Sequence, residues 1–97
     1  MRYRFAAAAS ADLEAIGDFI ALDSPRRVES FIDEIEDRRR LLAEFPETGR
    51  PRPDLAPEIR AVPFGSYLNC YAIQPDILET RRVLHGARNI GPDDFFS

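Results

Sequence analysis

Apolar residues recur at helical spacing in two neighbouring segments of the N-terminal half. The first segment contains Leu13, Ile16, Phe19 and Ile20. Ser10 precedes it and is predicted to be the N-cap, because a serine hydroxyl can accept a hydrogen bond from a free backbone N–H at a helix start. Asp12 and Glu14 would then lie in the first turn, where negative charge suits the helix dipole. This helix is expected to end near Leu22-Asp23.

The second helix is predicted to begin at Ser24-Pro25, because a proline at the first helical position lacks only a donor that would be unpaired there. Its apolar face comprises Val28, Phe31, Ile32, Ile35 and Leu42. It should end at Phe45-Pro46, since the residue before a proline disfavours helical geometry. Two amphipathic helices joined by so short a turn predict an antiparallel hairpin with one apolar side that a sheet must cover.

Four segments have strand patterns: residues 2–8, 59–63, 67–73 and 77–85. The turns between the last three are predicted at Phe64-Gly65-Ser66 and Gln74-Pro75-Asp76. Residues 46–57 are rich in proline and are expected to form a loop, and residues 90–96 a short tail with one helical turn. The sequence therefore predicts a single α+β domain over residues 1–97, with an antiparallel sheet of about four strands and an N-terminal two-helix hairpin on one face.

Composition excludes several classes of function. The formal net charge of the 97 residues is −4, which argues against a broad phosphate-facing surface, so no direct nucleic-acid binding is expected. No apolar run is long enough to cross a membrane. The single cysteine, Cys70, excludes an internal disulfide and a cysteine-rich zinc site, and it is expected to be a small buried core residue. A single cysteine that cannot form an internal disulfide is typical of a protein in the reducing cytoplasm, which is therefore the expected location.

The basic residues of the second half are the candidates for binding chemistry. All 13 basic residues of the chain are arginine, which suits bidentate contact with carboxylates or phosphates. Strand alternation predicts that Arg81 shares a face with Val83 and His85, and Arg82 with Leu84. Alternatively, these arginines form ion pairs with acids across the strands, namely Glu58, Asp76 or Glu79. The run at residues 38–40 is expected to be a solvated face with ion pairs.

His85 is the only histidine. With one distant cysteine and no second histidine, a metal site is not expected. The side chain is predicted to be either a strand-end histidine that bonds to the backbone or a functional contact.

Four motifs carry a resemblance to a known family: "SADLEAI" in the first helix, "LLAEFPETGRPRPDL" at the end of the second, "EIRAVPFGSYLNCYAI" and "RRVLHGARNI". Together they resemble the ParE branch of the RelE/ParE superfamily of bacterial toxins from type II toxin–antitoxin pairs, over nearly the whole chain. The resemblance implies a sheet with a two-helix hairpin packed on it. It also implies a toxin that poisons DNA gyrase and is neutralised by a cognate ParD-like antitoxin, a small DNA-binding protein.

RelE-like relatives instead cleave mRNA on the ribosome, with lysines and arginines on the sheet and a tyrosine near the C-terminus. This chain has no lysine, has Leu68 where that branch has an arginine, and has no tyrosine after Tyr71. Only Arg88 matches a position of that branch well. The resemblance therefore implies a toxin that is not an enzyme, with no catalytic residues, cofactor or metal. The candidates for contact with a partner or target are Arg60, Arg82, His85 and Arg88.

Two alternatives remain open from the sequence. The first is a ribosome-dependent mRNA endonuclease that uses these same four residues. The second is a non-toxic member that only binds its antitoxin. Whichever of these functions is correct, the candidate antitoxin surfaces are the outer face of the helix hairpin and the sheet edge. A segment that folds on binding lays a helix in a groove or adds a strand to an edge.

Overall fold

The computed structural model describes residues 1–96. Its elements, in chain order, are β1 (Arg2–Phe5), α1 (Ala7–Asp23), α2 (Pro25–Glu44), β2 (Arg50–Pro51), β3 (Arg60–Phe64), β4 (Tyr67–Ile73), β5 (Ile77–His85) and a 3-10 helix (Pro92–Phe95). None of the helices in this part of the chain has the length and apolar character needed to cross a membrane.

The strands form one sheet in the order β1-β5-β4-β3-β2. The pairs among β2, β3, β4 and β5 are antiparallel, whereas β1 runs parallel to β5. The predicted α+β class, with a helix hairpin on one face of the sheet, is confirmed. The sheet has five strands rather than about four, because β2 forms inside the proline-rich loop. A strand of two residues is too short to show the alternating pattern from which strands are predicted.

The first helix begins earlier than predicted. β1 ends at Phe5 and α1 begins at Ala7, so the N-cap position is Ala6 and Ser10 lies inside the helix. The prediction of Ser10 as the cap was wrong because alanine is the best helix former and the alanine run extends the helix backwards. Ala9 is fully buried by this extension. α2 begins and ends as predicted, with Ser24 at the N-cap position and Pro25 at the first position.

Side chains pack on both faces of the sheet. On the face under the helices, Leu42 of α2 forms a buried cluster with Tyr71 and Leu78. On the opposite face a second buried cluster comprises Leu55, Ile59, Ala61 and Cys70, with Leu68, Ile90 and Phe95 packed against it. The loop before β3 and the C-terminal segment therefore cover the face that the helices leave free.

Cys70 has no exposed surface and belongs to this second cluster. Burial raises the pKa of its thiol to about 11, because the thiolate would lose its hydration there. The prediction of a buried core cysteine is confirmed.

Candidate functional site

The middle of β5 departs from regular alternation. Cys70 lies opposite Arg82, but the next residue of β4, Tyr71, lies opposite Thr80. Arg81 therefore has no residue opposite it on β4. This extra residue is a β-bulge, which turns the side chains that follow it. The guanidinium of Arg81 lies 2.5 Å from the carboxylate of Glu79 and 3.4 Å from that of Glu58. The predicted ion pairs of Arg81 are therefore present, but the prediction that it shares a face with Val83 was wrong.

Arg82 is held by α1. Its Nε and Nη2 each donate to a carboxylate oxygen of Asp12 at 2.8 Å, and Nη1 donates to the backbone oxygen of Asp94 at 2.8 Å. The Asp12 hydrogen bonds raise the pKa of Arg82 above its ordinary value. Only 22% of the Arg82 side chain and 15% of the Asp12 side chain are exposed. Arg82 thus connects the first helix, the last strand and the C-terminal segment.

Asp12 also completes the edge of β5. Because β1 ends at Phe5, the second half of β5 has no strand on that side, and α1 runs beside it instead. The Val83 N–H donates to Asp12 Oδ2 at 2.9 Å, in place of a bond to a neighbouring strand. A buried backbone N–H without a partner would cost free energy, so Asp12 supports both Arg82 and the strand.

Arg88 binds the C-terminal 3-10 helix. Its guanidinium forms an ion pair with the Asp94 carboxylate, whose other oxygen accepts the Gly91 N–H at 3.0 Å. Arg82 reaches the backbone of the same residue. The structure therefore brings Arg82 and Arg88 together at Asp94, and 47% of the Arg88 side chain remains exposed.

Arg60 lies elsewhere, at the start of β3. Its Nη1 donates to the backbone oxygens of Gly49 at 2.7 Å and Glu47 at 3.4 Å. The adjacent Tyr71 hydroxyl donates to the Pro46 oxygen at 2.6 Å and accepts the Gly49 N–H at 2.8 Å. Together, Arg60 and Tyr71 fix the loop formed by the "PETG" part of the motif.

His85 is exposed at the end of β5. Its Nδ1 accepts the Ala87 N–H at 3.2 Å, so the prediction of a strand-end histidine bonded to the backbone is confirmed. The ring packs edge-on against Tyr67, with 5.4 Å between ring centroids. Beside it is a groove of about 500 Å³, between the helix hairpin and the β3–β4 turn, with Phe31 and Phe64 among its walls.

The four candidate residues fall on two faces of the sheet. Directly opposed residues on neighbouring strands share a face. Arg60 is opposite Tyr71, and His85 is opposite Tyr67, so both lie on the side of the helices. Arg82 is opposite Cys70 on the other side, where Arg88 joins it through Asp94.

A family model described as the ParE toxin of type II toxin–antitoxin systems, parDE, matches residues 3–90. The chain belongs to this family. The match includes all four candidate residues, both α-helices and, apart from Arg2 at the start of β1, all five strands of the described residues. No curated protein matches the sequence.

Comparison with solved structures supports the ParE fold. A chain from the "Chromosomal ParDE TA system from P. aeruginosa" superposes with a TM-score of 0.73 at 20% sequence identity. The alignment covers 88% of this chain and 95% of that chain. Identity this low establishes a shared fold and nothing more specific.

The helix hairpin of this ParE-family chain leaves much apolar surface uncovered. Five large apolar residues on the two helices or directly after them are between 53% and 87% exposed: Phe19, Leu22, Ile32, Leu41 and Phe45. A mostly apolar groove of about 430 Å³, here called the interhelical groove, lies between α1 and α2. Its apolar lining includes Phe5, Leu13, Ala21, Val28, Ile32 and Ile35. A groove lined mostly by apolar side chains is typical of an interaction site.

Asp12 is the residue of structural importance that the sequence pattern did not reveal. It was predicted to favour the helix dipole, yet it lies in the second turn of α1 and binds Arg82. One signal for this role is present in the sequence. Asp12 precedes Ile16 by four residues and Ile20 by eight, so it shares their inward-facing side of the helix.

Proposed function

We propose that this type II toxin inhibits DNA gyrase by binding it, without catalytic turnover of its own, and that a cognate ParD-like antitoxin neutralises it. The observation that carries the proposal is the ParE-family match over residues 3–90. The exposed apolar residues and the apolar groove of the helix hairpin also support the proposal, because such surface is typical of a protein that acts by contact with other proteins.

The positions of the candidate residues favour binding over RNA cleavage. In-line cleavage by the 2′-OH requires a proton acceptor and cations arranged around one phosphate. Here Arg60 and His85 lie on one face of the sheet and Arg82 on the other. Moreover, Arg82 and Arg88 are bound to the acids Asp12 and Asp94. This distribution supports the reading that none of the four is a catalytic residue.

A supercoiling assay with purified gyrase tests the proposal. Excess toxin is expected to abolish supercoiling and to trap DNA in the cleaved state, and addition of the antitoxin should restore activity. A parallel translating extract should show no mRNA cleavage. Undiminished supercoiling with no trapped DNA at excess toxin would overturn the proposal, and mRNA cleavage that Arg88→Ala abolishes would replace it with the endonuclease function.

The interhelical groove is the surface that best fits an antitoxin helix. An amphipathic helix binds such a groove by laying apolar side chains at i, i+3, i+4 and i+7 into it. The exposed Ile32 lies in its wall. A segment that folds in this groove would cover surface that the isolated toxin leaves in contact with water.

Charge reversal at Arg88 is expected to weaken antitoxin binding. Many antitoxin tails are acidic, and Arg88 is the more exposed of the two arginines bound to Asp94. Arg88→Glu should raise the Kd for the cognate antitoxin by about fivefold, equivalent to roughly 1 kcal/mol. Isothermal titration at two salt concentrations measures it, with the exposed Arg26→Glu as the matched control. Unchanged affinity in both Arg88→Glu and Arg82→Glu would contradict a role for these arginines.

A further inference from the structure

The two edges of the sheet differ in how they are protected. At the β2 edge, Pro51 is one of the two residues of the edge strand, and Pro53 follows it closely. Pro63 lies in β3 just beyond the reach of β2. Proline has no N–H to offer an added strand, and natural sheets use it to block edge-to-edge pairing. This edge is therefore closed to a further strand.

The β1 edge has no such protection. The Ala6 N–H donates to the Thr80 oxygen at 2.9 Å, and in a parallel ladder the residues that bond to a given neighbour alternate. Arg2 and Arg4 therefore direct their backbone groups to β5, whereas Tyr3 and Phe5 direct theirs outward. Within residues 1–96 no strand lies beyond β1. Two N–H groups and two carbonyls are thus available for pairing.

The side chains of β1 define what kind of strand fits. Arg2 and Arg4 are exposed, on the face away from the helices, where Arg4 pairs with Glu79 at 2.7 Å. Arg2 has no ion-pair partner within residues 1–96. On the other face, Phe5 lines the interhelical groove. A complementary strand therefore carries acidic side chains on one face and apolar side chains on the other.

A second copy of this chain does not meet that requirement. Two β1 strands paired antiparallel would bring the arginines of one copy near those of the other, and like charges directly opposite each other destabilise a strand pair. An acidic partner replaces this repulsion by attraction. The exposed arginines thus disfavour self-association while leaving the edge usable.

We propose that the outer edge of β1 is a docking site for an extended, acidic segment of a partner protein, which adds to the sheet as a sixth strand. Its backbone pairs with Tyr3 and Phe5, its carboxylates face Arg2 and Arg4, and its apolar side chains point towards the interhelical groove. The proposal deepens the proposed function, on which it rests, by naming the contact that would hold an antitoxin tail.

A synthetic peptide tests the edge directly. The probe is an acetylated and amidated peptide of eight residues that alternates glutamate and valine, titrated into the full chain and followed by NMR. Hydrogen exchange of the Tyr3 and Phe5 amides is expected to slow at saturation. Arg2→Glu should raise the Kd by about fivefold to tenfold, since an attractive cross-strand charge pair becomes a repulsive one, whereas Arg26→Glu, on the helix surface, should leave it unchanged.

Backbone methylation separates strand pairing from charge attraction. Two further peptides are compared, one with the backbone amides of all its valines methylated and one with those of all its glutamates methylated. Since alternate residues of a strand point their N–H groups to opposite edges, each methylation removes the donors of one edge only. One of the two peptides should therefore lose binding and the other retain it. Equal binding of both, or unchanged exchange at Tyr3 and Phe5, would overturn the proposal. Gyrase inhibition by the same preparation is measured separately, so a failure of the edge site is distinguishable from a failure of the proposed function.

Discussion

Replacing Arg82 by alanine is expected to lower the free energy of unfolding by about 3 kcal/mol, near the low end of the cost of breaking a buried ion pair because both partners keep some exposure. The substitution leaves the Asp12 carboxylate without its two charged donors and frees the backbone oxygen of Asp94. It also weakens the attachment of the C-terminal segment. Urea unfolding followed by circular dichroism measures the change.

Arg81→Ala is the matched control. Arg81 is adjacent in sequence and also pairs with two acids, but its removal leaves Glu79 paired with Arg4 at 2.7 Å and leaves Glu58 half-exposed. Neither acid then remains buried without a partner, so the loss should stay below about 1 kcal/mol. Asp12→Ala combined with Arg82→Ala completes a double-mutant cycle, which isolates the coupling of the pair. If Arg82→Ala destabilised the chain no more than Arg81→Ala, the link between α1 and β5 would not be a major source of stability.

This internal role changes how charge reversal at Arg82 must be interpreted. Arg82→Glu would place a third carboxylate beside Asp12 and the acidic C-terminal segment, so weaker antitoxin binding in that variant could follow from a damaged fold. Arg88 keeps about half of its side chain exposed and pairs with one carboxylate. An effect on binding in Arg88→Glu, with unfolding unchanged, would identify a contact.

The elements that the sequence predicted well are those set by local pattern. β4 and β5 have the predicted bounds, Tyr67–Ile73 and Ile77–His85, because each is a run of strand-forming residues between turns. Gly65, with a φ of 55°, forms the turn before β4 in the left-handed conformation that glycine tolerates. Pro25 and Pro46 bracket α2 for equally local reasons.

The features that the sequence did not predict depend on distant contacts. The parallel direction of β1 is set by pairing with β5 across both helices, and nothing in the residues of β1 encodes it. The bulge at Arg81 appears only in the pairing of β4 with β5. Since one extra residue reverses the faces of those that follow, the predicted grouping of Arg81 with Val83 failed with it.

The same limit applies to the candidate site. The chemistry of arginine was read correctly, in that Arg82 makes a bidentate contact with a carboxylate. The carboxylate belongs to Asp12, however, 70 positions away, and no spacing rule links the two. The sequence identifies which residues can form ion pairs, but the fold determines whether the partner lies in the same chain or in another molecule.

Gly49→Ala is expected to destabilise the chain by about 2–3 kcal/mol, the cost of overpacking a site that cannot relax. A β-carbon at this position would lie 2.6 Å from the Tyr71 hydroxyl oxygen, 2.7 Å from a carbon of its ring and 3.0 Å from the backbone oxygen of Ala61. Tyr71 has no exposed surface and is bonded to both Pro46 and Gly49, so its ring cannot move without losing those hydrogen bonds. Thermal and urea unfolding measure the loss.

Gly17→Ala is the control of opposite sign. Gly17 lies inside α1, and a β-carbon there meets nothing within 4 Å. Alanine exceeds glycine in helix propensity by about 1 kcal/mol, so the same substitution should stabilise the chain at Gly17 and destabilise it at Gly49. Equal effects at the two sites would mean that the Tyr71 contact does not fix the loop. Opposite effects would show that the glycine of the "PETG" segment is required because the tyrosine of β4 occupies the space a side chain would need.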